Sequence, residues 1–305
     1  MDRFEDMRCF VQVADQGSVT RAADAMGIAP SAVSRRLKEL ELRLGVQLLA
    51  RTTRRMSLTE AGQTFCERAR RILADVDEAE SEVSDRSRML AGQLRIAAPL
   101  TFGVAHLSPI ITEFVSAHPE IAVDVDLSDR IVDLVGEGFD LAVRIGALRD
   151  SSLVARKICD VRVAVAAAPG FLDRHGRPAR PEDMRDWPAL AYVGSERADI
   201  WRFQRPDGTE GAVQMPVRMR ANNGTVLRQA AAAGLGVVIQ PSFILCEAVA
   251  AGQLEPILTD HRWPEIAIYA VYPQTRHLSA KARAFIDFLR ARIGIRPVWE
   301  AALDR

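Results

Sequence analysis

Ala29-Pro30-Ser31-Ala32-Val33-Ser34-Arg35-Arg36-Leu37-Lys38-Glu39-Leu40-Glu41-Leu42-Arg43-Leu44 carries two distinct faces at helical spacing. Val33, Leu37, Leu40 and Leu44 recur at intervals of four, three and four, a stripe suited to burial. Ser31, Ser34, Arg35 and Lys38 recur at three, one and three, and that face is small, hydroxylic and cationic. Pro30 suits the first helical position, where its missing N–H costs nothing, so the serine- and arginine-bearing turns lead into whatever the helix meets. Such a helix fits the major groove of duplex DNA, where Ser and Arg donate to base edges and phosphates. A merely solvated face would use the same residue types, so the flanking sequence has to decide.

Immediately before it, Ser18 can cap a short helix from Val19 to Met26, Gly27 can end it in the left-handed conformation, and Ile28 can pack into the turn. A short helix, a glycine turn and a second helix with a polar face make a helix-turn-helix pattern. Phe4, Met7, Phe10, Val11 and Ala14 mark a third amphipathic helix that can cover the core. After it, Leu48-Leu49-Ala50-Arg51-Thr52-Thr53-Arg54-Arg55-Met56-Ser57-Leu58 reads as two short strands around an arginine-bearing tip. Residues 1–58 are therefore expected to form a winged helix-turn-helix.

In this order the chain shows Phe10-Val11-Gln12-Val13, Gly17-Ser18-Val19-Thr20-Arg21-Ala22-Ala23, Ser31-Ala32-Val33-Ser34-Arg35, Leu40-Glu41, Leu44-Gly45, Arg51-Thr52-Thr53-Arg54 and Leu58-Thr59-Glu60-Ala61-Gly62. That series resembles the DNA-binding domain of the LysR-type transcriptional regulators. The resemblance implies DNA contacts from Ser18, Thr20, Arg21, Pro30, Ser31, Ser34, Arg35 and Lys38, with Arg51, Arg54 and Arg55 gripping phosphates or the minor groove from the wing. One departure matters: the family often reads Ser-Gln-Pro before Ala-Val-Ser, whereas this chain has Ala29-Pro30-Ser31. Without the Gln amide one bidentate base contact is missing, so an operator sequence cannot be carried over.

A chain of 305 residues implies two domains or more, and its formal net charge is zero. The charge is local: from Gln16 to Leu58 eight cations stand against three carboxylates, a surplus of five that can seek phosphates. Cys9, Cys66, Cys159 and Cys246 are far apart, which favours buried thiols over a disulfide framework or a zinc site. The first helix carries Asp and Glu and resembles no signal peptide, and no apolar run suggests a membrane span. A cytoplasmic protein without a cofactor is the expectation.

Residues 59–91 read as one long helix. Phe65, Ala69, Ile72, Val76, Ala79, Val83 and Leu90 follow an alternating four-three register broken only by Arg86. So narrow a stripe needs a partner, which can be the helix's own C-terminal domain or a second copy of the chain. The family's linker helix favours the second copy, and a dimer would set two recognition helices on a pseudo-palindromic site.

From Gln93 strands alternate with helices, which predicts βα units on a mostly parallel sheet. Strands are expected at 94–98, 121–125, 141–145, 161–168, 189–193, 213–219, 236–240 and 266–272. Helices are expected at 104–118, 132–136, 226–233, 243–250 and 280–293. The resemblance implies a two-subdomain, periplasmic-binding-protein-like α/β effector domain over 92–305, with subdomain I at 93–164 plus 268–305 and subdomain II at 165–267. In open α/β sheets ligands collect at the carboxyl ends of strands. That selects Leu100, Thr101, Phe102, Ser128, Arg144, Gly146, Tyr192, Asn222 and Asn223, with Phe203 and Trp201 as an apolar wall. Ordinary turn chemistry, helix capping or carbonyl bonding would account equally for Asn222, Thr101 or Arg144.

Catalysis has little support, because there is no Gly-x-Ser-x-Gly elbow, no Gly-x-x-x-x-Gly-Lys-Ser/Thr loop and no His-Glu-x-x-His. Three readings stay open: a ligand-responsive transcription factor, a small-molecule binding protein or enzyme with a winged helix for protein contacts, and a constitutive repressor. The first is preferred. Its partners would be double-stranded promoter DNA, a small effector for which a carboxylate is one candidate class, a second copy in a dimer or tetramer, and RNA polymerase if it activates.

Overall fold

The structure, a computed structural model, describes residues 2–51, 56–83, 90–146, 153–193, 197–274, 278–294 and 297–303. The chain forms two units, Met1–Met89 and Leu90–Arg305.

In the first unit α1 (Arg3–Gln16), α2 (Val19–Met26) and α3 (Pro30–Leu44) close around Phe10, Val13, Ala22, Ala23, Val33, Leu37 and Leu40, each at most 1% exposed. The helix ends follow their local chemistry. Ser18 Oγ accepts the Arg21 amide, Pro30 opens α3, and Gly17, Gly27 and Gly45 end the three helices at φ of 58°, 66° and 69°. Leu44 and Phe4 depart from expectation at 41% and 43% exposed, because each sits at a helix end beyond the reach of the three-helix core. Strands β1 (Leu49–Arg51) and β2 (Met56–Leu58) pair antiparallel as the wing.

Helix α4 (Glu60–Val83) divides the long seam into two parts. Cys66, Ala69 and Leu73 are buried, and Phe65 lies 5.5 Å from Phe10 ring to ring, so its first turns belong to the winged-helix core. Ile72, by contrast, is 39% exposed and Val76 is half-buried. Leu90, expected on the same seam, instead packs on the core of the second unit.

The second unit holds two five-stranded sheets built to one plan. Its strands are β3 (Gly92–Ala98), β4 (Ile121–Leu127), β5 (Leu141–Gly146), β6 (Leu153–Val161), β7 (Val163–Ala167), β8 (Ala189–Tyr192), β9 (Ile200–Gln204), β10 (Glu210–Gln214), β11 (Val217–Ala221), β12 (Val237–Pro241), β13 (Glu255–Ile257) and β14 (Ile266–Pro273). The first sheet runs β4-β3-β5-β14-β6 and the second β11-β8-β12-β7-β13. In each, three neighbouring strands are parallel, the fourth (β14 or β7) runs antiparallel to them, and the fifth pairs antiparallel with the fourth. The sheets are thus less parallel than expected, since a strand that crosses from one body to the other enters the next sheet antiparallel.

That crossing corrects a second expectation. Residues 161–168 are not one strand: Val161 closes β6 in the first sheet, and Val163 opens β7 in the second, so the chain changes sheets at Arg162. Residues 213–219 are likewise two strands, broken before Pro216, which has no N–H for a ladder.

The helices are α5 (Leu100–Phe102), a π-turn (Gly103–Leu107) that carries it into α6 (Ser108–Ala117), α7 (Leu134–Glu137), α8 (Pro169–His175), α9 (Gly224–Ala232), α10 (Ser242–Ala250) and α11 (Ala280–Ile293). By length and mean hydropathy the span Leu100–Ala117 could cross a membrane, but Phe102, Leu107 and Phe114 lie in the core of the first sheet. It is a core helix, and its other side leaves Leu100 and Val104 at 41% and 61% exposed.

Candidate nucleic-acid interface and ligand cleft

On α3 the buried stripe turns Ser31, Arg35 and Lys38 to solvent, with Ser34 half-buried at the margin. Its other cations are occupied. Arg43 pairs at 3.1 Å with Asp6, which is buried, and Arg36 reaches Glu5 at 3.5 Å, so both tie α3 to α1. Neither Arg35 nor Lys38 pairs with a carboxylate among the described residues. Thr20 and Pro30 are exposed, whereas Arg21 is exposed but its guanidinium donates to the Gln16 carbonyl, and Ser18 Oγ serves as the α2 cap. Arg51 is the last residue of β1; Arg54 and Arg55 lie outside the described residues.

The wing is held by residues whose role the sequence did not disclose. One Glu41 oxygen accepts the Leu48 and Leu49 amides at 2.8 and 3.1 Å, which ties α3 to the first wing strand. From the other side Thr59 donates its amide to Leu48 O at 3.0 Å and its hydroxyl to Gln47 O at 2.7 Å. Gly62 is required there, because a Cβ would lie 2.0 Å from Leu48 O. The Leu-Glu and Leu-Thr-x-Ala-Gly spacings were the available signal, and the contacts give them a physical cause.

In the second unit the carboxyl ends of the parallel strands in both sheets bring several candidates together. Asn223 caps α9, its Oδ1 accepting the Thr225 and Val226 amides, and its Nδ2 donates 3.3 Å to Thr101 Oγ1. That bond joins the two bodies at the cleft. Beside Thr101, the Leu100 amide donates 3.2 Å to Asp129 Oδ1, so a carboxylate of this chain already occupies the first free amide. Ser128 precedes Asp129 on the same loop, and its hydroxyl is buried without a partner among the described residues. Burial, and after it the charge of Asp129, pushes the Tyr192 hydroxyl above its ordinary value. Asn222 is exposed, and Gly146 ends β5 with φ at 150°.

Four residues expected at the ligand have other contacts. Phe102 is fully buried, 5.3 Å from Phe243 and 5.8 Å from Trp299 ring to ring, in the core of the first sheet. Phe203 and Trp201 share one face of β9, which folds with β10 onto the core of the second sheet, where both are buried. Arg144 donates 3.3 Å to the Val132 carbonyl and braces a loop.

Burial raises all four thiols, Cys159 to about 12, so none is a ready thiolate. Among the described residues no cluster of three or more His, Cys, Asp or Glu could hold a metal ion.

The chain matches the profile for the bacterial regulatory helix-turn-helix protein, lysR family, over residues 4–63, and for the LysR substrate binding domain over residues 87–294. The HTH-type transcriptional regulator PtxR of Pseudomonas aeruginosa is 38% identical over 288 residues, which cover 94% of this chain and 92% of PtxR. Among solved structures CrgA of Neisseria meningitidis, a LysR-type transcriptional regulator, superposes with a TM-score of 0.61 at 33% identity, covering 95% of this chain and 98% of CrgA. The full-length Vibrio cholerae virulence activator AphB gives 0.58 at 29% identity over 95% and 99% of the two chains.

Proposed function

The chain belongs to the LysR family of bacterial transcriptional regulators, and on that premise we propose how its parts divide the work. As a member it is a DNA-binding regulator with an effector-binding domain, not an enzyme. Ser31, Ser34, Arg35 and Lys38 read the major groove, and the wing grips the neighbouring backbone through Arg51, Arg54 and Arg55. The observation that carries this reading is the sorting of cations on α3: Arg36 and Arg43 pair inward, while Arg35 and Lys38 face outward with no carboxylate partner among the described residues.

Residues 59–91 pair with a second copy. The half-exposed part of the seam from Ile72 to Val76 supports this, as do Leu100 and Val104 on the second unit for further association into a tetramer. The effector sits against the Thr101–Asn223 contact, flanked by Ser128 and Tyr192. It shifts a pre-existing equilibrium between two arrangements of the domain, which requires binding one better than the other by about 1–3 kcal/mol. A carboxylate effector would have to displace Asp129 from the Leu100 amide or bind beside it. Action is cytoplasmic, with RNA polymerase as a partner if the regulator activates.

The test is binding of the purified protein to the DNA upstream of its own reading frame, titrated with salt and repeated with a panel of small carboxylic acids and their neutral analogues. Selective binding that falls steeply with salt and shifts with one compound supports the whole reading. Selective binding indifferent to every compound removes the ligand assignment, and unselective binding removes the recognition face.

A further inference from the structure

Between β6 and β7 the chain spends one residue, Arg162, on its passage from the first sheet to the second. Every backbone polar group of that residue is engaged. Its amide donates 3.2 Å to Glu300 Oε1, and its carbonyl accepts the Ser242 amide at 2.8 Å. Its guanidinium donates 2.6 Å to Glu300 Oε2 and 2.6 Å to the Glu300 carbonyl. Glu300 also accepts the Ser242 hydroxyl at 2.6 Å, and Ser242 is fully buried at the start of α10. One carboxylate from the C-terminal 3-10 turn (Val298–Leu303) therefore holds the crossing residue of one body and the first helical residue of the other.

The neighbouring residue seals the same junction. Trp299 is 5% exposed, with its ring 4.7 Å from His106 and 5.8 Å from Phe102 on the first body and 6.3 Å from Phe243 on the second. His106 in turn meets the Phe243 carbonyl through Nε2 at 3.1 Å. The two bodies thus touch at the cleft through the Thr101–Asn223 bond at 3.3 Å, and at the crossing through a charged and aromatic cluster.

We propose that the C-terminal turn is a clasp over the crossing and that Glu300 is a positioning residue for the effector response, acting through Arg162 to set the angle between the two bodies. A motion that opens or closes the cleft then pivots on Arg162, because the weak bond yields before the charge-assisted cluster does. The inference rests on the reading that effector changes that angle, and it assigns the C-terminal turn a part in the switch without contact to ligand or DNA.

The test compares full-length wild type, Glu300→Gln and Glu300→Asp by amide hydrogen exchange and by protection of the upstream DNA. Glu300→Gln is expected to speed exchange at Arg162 and Ser242 about tenfold or more while leaving Ile96 in β3 and Val238 in β12 unchanged. The boundaries of protected DNA should shift with it, and Glu300→Asp should restore part of both effects. Exchange at Arg162 like wild type, faster exchange at all four amides together, or an unmoved DNA boundary despite faster exchange at Arg162 would each overturn the proposal. The ligand reading fails separately: if no compound moves the wild-type boundary but Glu300→Gln does, the clasp stands and the effector assignment falls.

Discussion

Adjacent arginines on one helix face differently here, Arg35 outward and Arg36 toward Glu5, and substitution should separate their effects. Arg35→Ala is expected to weaken operator binding by about 1–3 kcal/mol and to blur sequence preference at unchanged thermal stability. Arg36→Ala removes a half-exposed pair with Glu5, so it should cost at most about 1 kcal/mol of folding stability. Equal effects of the two on DNA affinity would refute the assignment of the face. His106 gives a pH dependence. Burial lowers its pKa below 6.5, so the unfolded chain takes up the proton more readily than the folded one. Its stabilisation is complete above about 6.5 and drains as pH falls through the folded value. Denaturant midpoints of wild type and His106→Gln measured between about pH 7 and about pH 5 should therefore converge in acid, and parallel curves would contradict it. Phe102 and Phe203 carry the matching lesson for aromatic residues. From sequence alone a buried ring and a ligand wall have the same composition, and only the packing of Trp299 and of the β9–β10 hairpin tells them apart.

At the scale of elements, the winged helix works only if the wing keeps its place beside α3, and that depends on Glu41 more than on the two short strands. Glu41→Ala would leave the Leu48 and Leu49 amides, on buried residues, without an acceptor, at about 1–3 kcal/mol for an unmade buried bond. A lower unfolding midpoint of the winged-helix unit, and a reduced salt slope for DNA binding as the wing's phosphate contacts are lost, are the expected readouts. A variant with both at wild-type values would show that the strands hold the wing unaided. Helix α4 divides differently, since Phe65, Cys66 and Ala69 serve its own domain before the seam reaches Ile72 and Val76. A stripe at four-three spacing states that something covers it, and here the winged-helix core covers only its first part, leaving Ile72 and Val76 partly exposed.

For the whole molecule the decisive quantity is how many copies act together. Val76→Asp would place an unpaired charge in the linker seam and should shift the sedimentation coefficient to that of a monomer, with cooperative DNA binding lost. Unchanged sedimentation would move the dimer contact to another surface, of which the exposed Leu100–Val104 side is the first alternative. The sequence by itself determined the winged helix. Its caps, glycine turns and the Val33-Leu37-Leu40 stripe are local, and local periodicity and turn chemistry are readable within one helix length. It also determined the alternating α/β character of the second unit and the grouping of Thr101, Ser128, Tyr192 and Asn223 at strand ends. It could not locate the change of sheet at Arg162, because residues 161–168 read as one strand through Arg162, and which ladder a residue joins depends on strands far away in sequence. Nor could it foresee that Asp129 would occupy the Leu100 amide or that Glu300 would clasp the crossing. Those contacts join residues that no periodicity links, and only closure of the chain in three dimensions brings their charges within reach.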